Sequence, residues 1–302
     1  MDVIGIREDG FHEVETVMQQ ISLYDEIEME WTAADDHEGS GDPKKKKLNI
    51  CLSTNKPFLP TDERNLAYKA ALLMRDHVIR SGAPEKCGTL KIHIDKRIPV
   101  AAGLAGGSGN GAAVIIGLNR LWDLGLDTKA LCDIGSALGS DVPFMILVQN
   151  SRYTCALGTG RGEVLTPVSR DLGMNFLLAK PKFGVSTKEV YKGIDELESP
   201  EHPSCAALID ALMAEDTDKA LGEMGNMLEA YTLKAYPEVN KLKEMISRTE
   251  GCRLALMSGS GPTVIGFYDE LSDARKAAGK FKDMGYESFY AGNMRRVRGK
   301  RL

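Results

Sequence analysis

The sequence predicts an α+β protein with two domains, and three observations support this fold class. The chain has 302 residues, which at about 150 residues per domain is enough for two. Residues 89–99 alternate apolar and polar side chains and lead into a helical pattern, so a strand precedes a helix. Near the C-terminus, residues 253–294 predict two strands, a helix and a final strand. We place the domains at residues 1–165 and 166–302.

The composition is that of an ordinary folded protein and excludes several functional classes. Hydrophobic residues make up 43% and charged residues 27% of the chain, unlike a disordered protein. Lys and Arg total 38 against 43 Asp and Glu, a net charge of -5 that argues against a general nucleic-acid binder. No apolar run has the length of a membrane span or a signal peptide. The six scattered cysteines, without a C-x-x-C pair, exclude the usual zinc framework and favour free thiols in the cytoplasm.

The first elements in chain order are two strands separated by a polar segment. Residues 19–31 and 48–53 predict strands. Between them, residues 35–47 are turn-rich and carry the lysine run 44–47, so we expect a solvated loop. Binding of an anionic surface by these lysines is the alternative.

A helix is predicted over residues 60–82, followed by a strand that buries one face. Thr61 is the expected N-cap of the helix and Gly82 its end. In the strand, Leu90 and Ile94 mark the apolar face, together with Ile92 between them. Further helical patterns begin at Ala112, cover residues 128–138 and recur within residues 205–247.

The most informative segment is the glycine-rich connection Pro99–Gly111 between the strand and the helix that follows it. Consecutive glycines let backbone N–H groups converge on one point, and the adjoining helix N-terminus attracts anions. We therefore interpret the segment as a polyphosphate site, with Ser108 as a further donor or metal contact. A flexible connector is the alternative. The spacing is neither that of a P-loop, which needs a lysine, nor that of a Rossmann dinucleotide site.

A second glycine-rich turn, residues 257–263, lies between two apolar strand-like runs. By itself it is interpreted either as a tight hairpin or as a second wall of the same phosphate site.

Taken together, these motifs resemble the three-motif pattern of the GHMP kinase superfamily. The motifs are I-P-x-x-A-G-L-x-G-G-S at residues 98–108, LGSDVPF at 138–144 and MSGSGPTV at 257–264. The segments DGFHEVETV and FGVSTKEVY are similar to the branch whose substrate is 4-diphosphocytidyl-2-C-methyl-D-erythritol, and homoserine and mevalonate kinases should lack this pair. The similarity extends from about residue 2 to beyond residue 290.

The resemblance implies a fold, a reaction and its cofactors. The fold has an N-terminal domain like the second domain of ribosomal protein S5 and a ferredoxin-like C-terminal domain. The reaction transfers the γ-phosphoryl group of ATP, with Mg²⁺, to the 2-hydroxyl group of the cytidine diphosphate methylerythritol substrate. ATP would be bound by Pro99, Val100, Ala101, Ala102, Gly103, Leu104, Ala105, Gly106, Gly107, Ser108, Gly109 and Asn110. The sequence offers no carboxylate cage for a metal and makes no prediction of oligomeric state.

The resemblance also assigns residues to catalysis and to the substrate. Asp141 would be the catalytic base; from its position before Val-Pro alone, a helix cap is the alternative. His12, with Phe11 beside it, would read the cytosine, and Tyr191 would stack on it. A structural histidine and an ordinary amphipathic-helix tyrosine are the alternatives for these two.

Gly259, Ser260 and Gly261 would flank the phosphate-transfer cleft from the second domain, and Gly259 and Ser260 would bind the substrate. The sequence departs from the family pattern in the first glycine-rich motif and at its start. Ser108-Gly109 replaces two consecutive serines, and Asn110 stands where Asp is common. In the family, an A-K-x-N motif stands before the segment that corresponds to Met1–Gly5, so the motif is not part of this sequence. No later lysine stands in the same context. We therefore keep two alternatives: a weakly active nucleotide-binding homologue, and a kinase for another small alcohol.

Overall fold

A computed structural model describes residues 1–34, 47–198 and 200–294, which form both helices and strands. The strands are β1 (Asp2–Ile6), β2 (His12–Gln19), β3 (Glu26–Ala33), β4 (Leu48–Thr54), β5 (Gly88–Asp95), β6 (Cys155–Thr159), β7 (Val164–Val168), β8 (Asn175–Lys180), β9 (Cys252–Met257), β10 (Val264–Tyr268) and β11 (Glu287–Ala291). The helices are α1 (Leu66–Arg80), α2 (Gly106–Leu121), α3 (Thr128–Gly135), α4 (Val142–Asn150), α5 (Thr187–Asp195), α6 (Cys205–Met213), α7 (Thr217–Glu223), α8 (Glu229–Ala235), α9 (Pro237–Ser247) and α10 (Leu271–Asp283). The predicted α+β class is confirmed.

The described residues pack into two units, each of which is discontinuous in sequence. Unit 1 comprises Met1–Leu23, Pro99–Leu104 and the described residues from Tyr153 onwards. Unit 2 comprises the described residues of Tyr24–Ile98 and Ala105–Arg152. The predicted domains, residues 1–165 and 166–302, are each continuous in sequence, unlike these units, and their boundary stays a prediction.

Unit 2 is built on a three-stranded sheet in the order β3-β5-β4. β5 pairs antiparallel with β3 and parallel with β4. The predicted alternation in β5 is confirmed, because Leu90, Ile92 and Ile94 are buried while Lys91 and His93 are exposed. The buried face packs with α1 and α2 into one apolar core.

Helix α1 is shorter at its start than predicted, and its N-cap differs. Asn65, not Thr61, caps the helix, since its Oδ1 accepts a hydrogen bond of 3.0 Å from the backbone N–H of Ala67. The Asn65 Nδ2 also donates to the carbonyl oxygen of Pro60 at 2.9 Å, which fixes the chain entering the helix. The prediction for Thr61 is therefore wrong. Gly82 lies just beyond the helix with φ +75°, as expected of a terminating glycine.

Three other segments differ from the sequence predictions or lie outside the described residues. β3 begins only at Glu26, because residues 20–25 lie outside its ladder. α2 begins at Gly106, six residues before the predicted start, inside the glycine-rich segment itself. The predicted loop 35–47 lies outside the described residues except for Lys47.

Unit 1 contains two four-stranded antiparallel sheets, in the orders β1-β2-β6-β7 and β11-β8-β10-β9. The predicted helix-rich stretch 205–247 forms α6 to α9, and the C-terminal strands and helix form β9, β10, α10 and β11. Their apolar faces make the two cores of this unit.

The described residues also show the state of the cysteines and whether any helix could span a membrane. The six cysteines lie within the described residues, and none of them forms a disulfide bond. Within residues 1–34, 47–198 and 200–294, no helix combines the length and the apolar character that a bilayer crossing requires.

Candidate active site

The glycine-rich segment turns sharply three times before α2 begins. Ala101, Gly103 and Ala105 adopt left-handed backbone conformations, with φ of 50°, 69° and 50°. Ala105 is the N-cap of α2, and it makes no side-chain hydrogen bond to the first turn. Because no side chain caps these N–H groups, the start of α2 has the donors and the dipole direction that favour an anion.

Two glycines of this segment are required by close contacts. A Cβ at Gly106 would lie 2.7 Å from Nζ of Lys96, and a Cβ at Gly103 would lie 2.6 Å from the carbonyl oxygen of Ser258. Ser258 in turn donates from its Oγ to the carbonyl oxygen of Gly103 at 2.8 Å. The two glycine-rich segments therefore touch at Gly103 and Ser258.

The second glycine-rich segment is a β9–β10 hairpin connection held by side chains that sequence reasoning missed. Asn226 donates from Nδ2 to the carbonyl oxygens of Met257, at 2.9 Å, and Gly259, at 2.8 Å. Ser260 is buried, and its Oγ lies 3.0 Å from Oγ1 of Thr187 at the start of α5. The hairpin interpretation is confirmed, since β9 and β10 pair antiparallel, and the second-wall interpretation stays a prediction.

Asp141 occupies the N-cap position of α4, but its side chain makes no capping hydrogen bond. The caps of α1, α3, α5, α6 and α7 all make one, from Asn65, Asp127, Ser186, Ser204 and Asp216. The residue Asp141 remains exposed, while the surrounding protein desolvates its carboxyl group and raises its pKa. The carboxylate is therefore available to an external partner, and the cap alternative accounts for its position but not for its side chain.

Within unit 2, the helix that begins after Asp141 is attached to the helix that follows the glycines. α4 packs against α2. Gln149 on α4 donates from Nε2 to the carbonyl oxygen of Gly109 at 3.2 Å. The candidate base and the candidate phosphate site thus belong to two helices in direct contact.

His12 and Tyr191 lie side by side in unit 1. Their ring centroids are 4.7 Å apart and their planes are tilted by 35°. His12 opens β2, and its Nε2 lies 2.8 Å from Oδ1 of Asp195. Asp195 was missed by sequence reasoning, although it stands one helical turn after Tyr191 on α5 and the spacing places both on one face.

Phe11 precedes His12 in the turn between β1 and β2 but contacts a different partner. Its side chain is largely exposed, and the guanidinium carbon of Arg161 lies 4.9 Å from its ring centroid. The backbone N–H of Phe11 donates to Oδ1 of Asp9 at 3.1 Å, so a local turn fixes the start of β2. A substrate contact by Phe11 stays a prediction.

Comparisons with known proteins connect these features to one family. The model for the N-terminal domain of GHMP kinases matches residues 65–148, and the model for the GHMP kinase C-terminal domain matches residues 208–287. A protein of Clostridium perfringens named 4-diphosphocytidyl-2-C-methyl-D-erythritol kinase is 41% identical over 287 residues, covering 93% of this chain and 91% of that protein. A protein of the same name from Geobacillus kaustophilus is 44% identical over 270 residues, covering 89% and 84%.

Solved structures agree with these sequence relatives. A crystal structure of 4-(cytidine 5'-diphospho)-2C-methyl-D-erythritol kinase matches with a TM-score of 0.73 at 28% identity, covering 97% of this chain and 95% of that one. A homoserine kinase from Cytophaga hutchinsonii matches with a TM-score of 0.68 at 17% identity, which supports the fold alone. The GHMP kinase fold expected from the sequence is confirmed.

Proposed function

The chain belongs to the 4-diphosphocytidyl-2-C-methyl-D-erythritol kinases of the GHMP kinase family, and from this premise we propose its reaction and the residues that perform it. It is an ATP-dependent small-molecule kinase. Its reaction transfers the γ-phosphoryl group of ATP to the 2-hydroxyl group of 4-diphosphocytidyl-2-C-methyl-D-erythritol, a step of the methylerythritol phosphate route to isoprenoids. The observation that carries the substrate is the relationship at 41% identity over 93% of the chain.

The backbone of the glycine-rich segment binds the phosphates of ATP. No side chain caps the N–H groups in the first turn of α2. Gly106 and Gly107 also lack a Cβ, so an anion can approach the backbone closely there. This binding positions the γ-phosphoryl group and supports its charge during transfer.

Asp141 is the general base. Its carboxylate accepts the proton of the 2-hydroxyl group while that oxygen bonds to the γ-phosphorus and the bond from phosphorus to the β,γ-bridging oxygen breaks, leaving ADP. The absence of a capping bond on Asp141 and its raised pKa both suit a group that exchanges a proton with a substrate.

His12 and Tyr191 recognise the cytosine. Tyr191 supplies an aromatic face for stacking, which any base accepts, so hydrogen bonds from His12 must discriminate between bases. The proposal assigns Phe11, Gly259 and Ser260 to the same substrate.

Mg²⁺ is part of the proposal as a companion of ATP. The described residues contain no cluster of three His, Cys, Asp or Glu side chains suited to a metal. Mg²⁺ commonly binds through substrate phosphates and water with few protein groups, so a single serine hydroxyl beside the phosphates fits an ion that is bound mainly by the nucleotide. Ser108 on the first turn of α2 is the hydroxyl that would help to hold it, and the ion would supply neutralising charge to the phosphoryl oxygens.

We propose that the protein acts in the cytoplasm. The reaction consumes ATP, and six cysteines without a disulfide bond suit a reducing compartment.

The test is ADP release by the chain with ATP, Mg²⁺ and the cytidine diphosphate methylerythritol substrate. Homoserine and mevalonate, each in place of that substrate, are the matched acceptor controls. We expect turnover with the cytidine substrate alone. Turnover with a control acceptor would assign a different GHMP kinase activity, and ATP binding without turnover on any acceptor would leave a nucleotide-binding homologue.

A further inference from the structure

Asp25 lies just before β3, and its carboxylate accepts four hydrogen bonds from residues on both sides of the glycine-rich segment. Its side chain is 2% exposed. Oδ1 accepts hydrogen bonds from the backbone N–H groups of Arg97, at 2.7 Å, and Ile98, at 2.8 Å. Oδ2 accepts from Nζ of Lys96 at 2.5 Å and from Nδ2 of Asn110 at 2.8 Å. Four donors saturate the accepting capacity of one carboxylate, which leaves it no role toward a substrate.

The four donors come from the two ends of the glycine-rich segment. Lys96, Arg97 and Ile98 directly precede Pro99, and Asn110 lies in the second turn of α2. One carboxylate therefore pins the residue before the segment and the helix into which the segment leads.

Lys96 adds a direct packing contact to this arrangement. Its Nζ is the atom that a Cβ at Gly106 would approach to 2.7 Å, so the first residue of α2 rests on the ammonium group. The backbone N–H of Lys96 also donates to Oδ1 of Asn55, directly after β4, at 2.9 Å. Burial lowers the pKa of Lys96, and the hydrogen bond and charge of Asp25 act in the opposite direction.

We propose that Asp25 is a positioning residue for ATP, which acts through Lys96 and Asn110 to fix the first turn of α2. The inference rests on the proposed function, because it assumes that this turn binds the phosphates. N–H groups bind a phosphate well only if they point at it before it arrives, and a displacement of about 1 Å is enough to weaken such contacts.

Asn110→Ala is the variant that tests the proposal. Asp25→Asn would leave the buried ammonium of Lys96 without its counter-charge, so loss of folding would obscure the result. Asn110→Ala keeps the Asp25–Lys96 pair and replaces one side chain of a helix by the best helix former. The matched control is Asn119→Ala on the same helix, since Asn119 makes two hydrogen bonds of 3.0 Å to the backbone of Leu126, away from the glycine-rich segment.

The measurement is ATP binding by calorimetry with Mg²⁺ and without acceptor, together with KM for each substrate and the melting temperature. For Asn110→Ala we expect the Kd and KM of ATP to rise about fivefold, because one charge-assisted hydrogen bond is lost, and the KM of the cytidine substrate to stay unchanged. For Asn119→Ala we expect a lower melting temperature and an unchanged Kd of ATP.

Two outcomes would overturn the inference in distinguishable ways. If the unaltered chain binds ATP and Asn110→Ala binds it equally well, Asp25 is a structural residue and the proposed function stands. If the unaltered chain binds no ATP, the proposed function fails and the inference fails with it.

Discussion

The imidazole of His12 and the carboxylate of Asp195 are joined at 2.8 Å between Nε2 and Oδ1, across 183 positions of the chain. Because a carboxylate only accepts hydrogen bonds, the hydrogen lies on Nε2, and Nδ1 is the ring nitrogen left for another partner. α5 provides both Asp195 and Tyr191, so one helix fixes the orientation of the histidine and supplies its aromatic neighbour.

Asp195→Ala should weaken recognition of the cytidine substrate without affecting ATP. The imidazole would lose the partner that fixes its rotation, so we expect the KM of this substrate to rise about tenfold while the KM of ATP is unchanged. His12→Ala should have the same direction and a larger effect. Steady-state kinetics with each substrate varied in turn gives both constants. Asp210→Ala, at an exposed position on α6, is the control. Equal KM values for Asp195→Ala and this control would remove Asp195 from substrate recognition, and an unchanged substrate KM in His12→Ala would return His12 to a structural role.

Asp141→Asn should abolish turnover while ATP affinity is kept. An amide cannot accept the hydroxyl proton, so we expect kcat to fall by at least about 100-fold. Calorimetry with ATP alone checks that the nucleotide still binds. A variant with the kcat of the unaltered chain would remove Asp141 as the base.

The raised pKa of Asp141 also predicts the pH dependence of stability and activity. The folded state holds this proton more tightly than the unfolded state. The resulting stability is present below the ordinary carboxyl pKa and is lost as the pH rises through the raised value. Asp141→Asn should therefore raise the melting temperature at pH 7, and the difference should shrink in acid. Turnover of the unaltered chain should fall with decreasing pH at a higher pH than for an aspartate of ordinary pKa. A melting temperature unchanged by Asp141→Asn across this range would contradict the shift.

Gly103→Ala and Gly125→Ala separate the effect of a close contact from that of backbone conformation. Both glycines are left-handed, with φ of +69° and +66°. An alanine in this region costs about 1–2 kcal/mol, and at Gly125 there is space for it because nothing lies within 4 Å of the added Cβ. At Gly103 the Cβ would lie 2.6 Å from the carbonyl oxygen of Ser258. Denaturant unfolding should show a larger loss of unfolding free energy for Gly103→Ala, and only this variant should raise the KM of ATP. Equal losses would show that the Gly103–Ser258 contact relaxes freely.

Asn65→Ala should destabilise the protein, and Thr61→Ala should not. Removing the N-cap of α1 costs about 1 kcal/mol of unfolding free energy, since the N–H of Ala67 loses its acceptor. Thr61 is exposed, and its replacement should change the unfolding free energy by less than about 0.5 kcal/mol. Chemical denaturation of both variants tests the assignment; a reversed order would restore Thr61 as the cap.

Sequence reasoning succeeded where the signal is local. The alternation of Leu90, Ile92 and Ile94 sufficed for β5, because one face of a strand repeats every second residue. The glycine-rich segment was recognised as a strand-to-helix connection, but the start of α2 was misplaced at Ala112. Glycines hide a helix start, since they add no side chain to the apolar pattern and have low helix propensity.

Sequence reasoning failed where the deciding contact is visible only in the fold. Thr61 and Asn65 are both acceptable caps, and the bond of Asn65 to Pro60 distinguishes them only in the fold. Lys96 continues the buried face of Ile94 by alternation, which is a visible signal for a buried lysine. Its partner Asp25 lies 71 positions away, and no periodicity connects the two. Asp195 shares a helix face with Tyr191, but its contact with His12, 183 positions away, is visible only in the fold.

The discontinuous composition of the two units determines when each can fold during synthesis. The last strand and the last helix of unit 2, β5 and α4, have both been synthesised once residue 152 is made. The β1–β2 hairpin is made before unit 2, yet its partner strand β6 begins only at Cys155, and the nitrogen of Met1 donates to the carbonyl oxygen of Gly225 at 2.7 Å. Unit 2 can thus fold during synthesis, while in residues 1–23 the edge of β2 stays unpaired until β6 and the rest of unit 1 have been made.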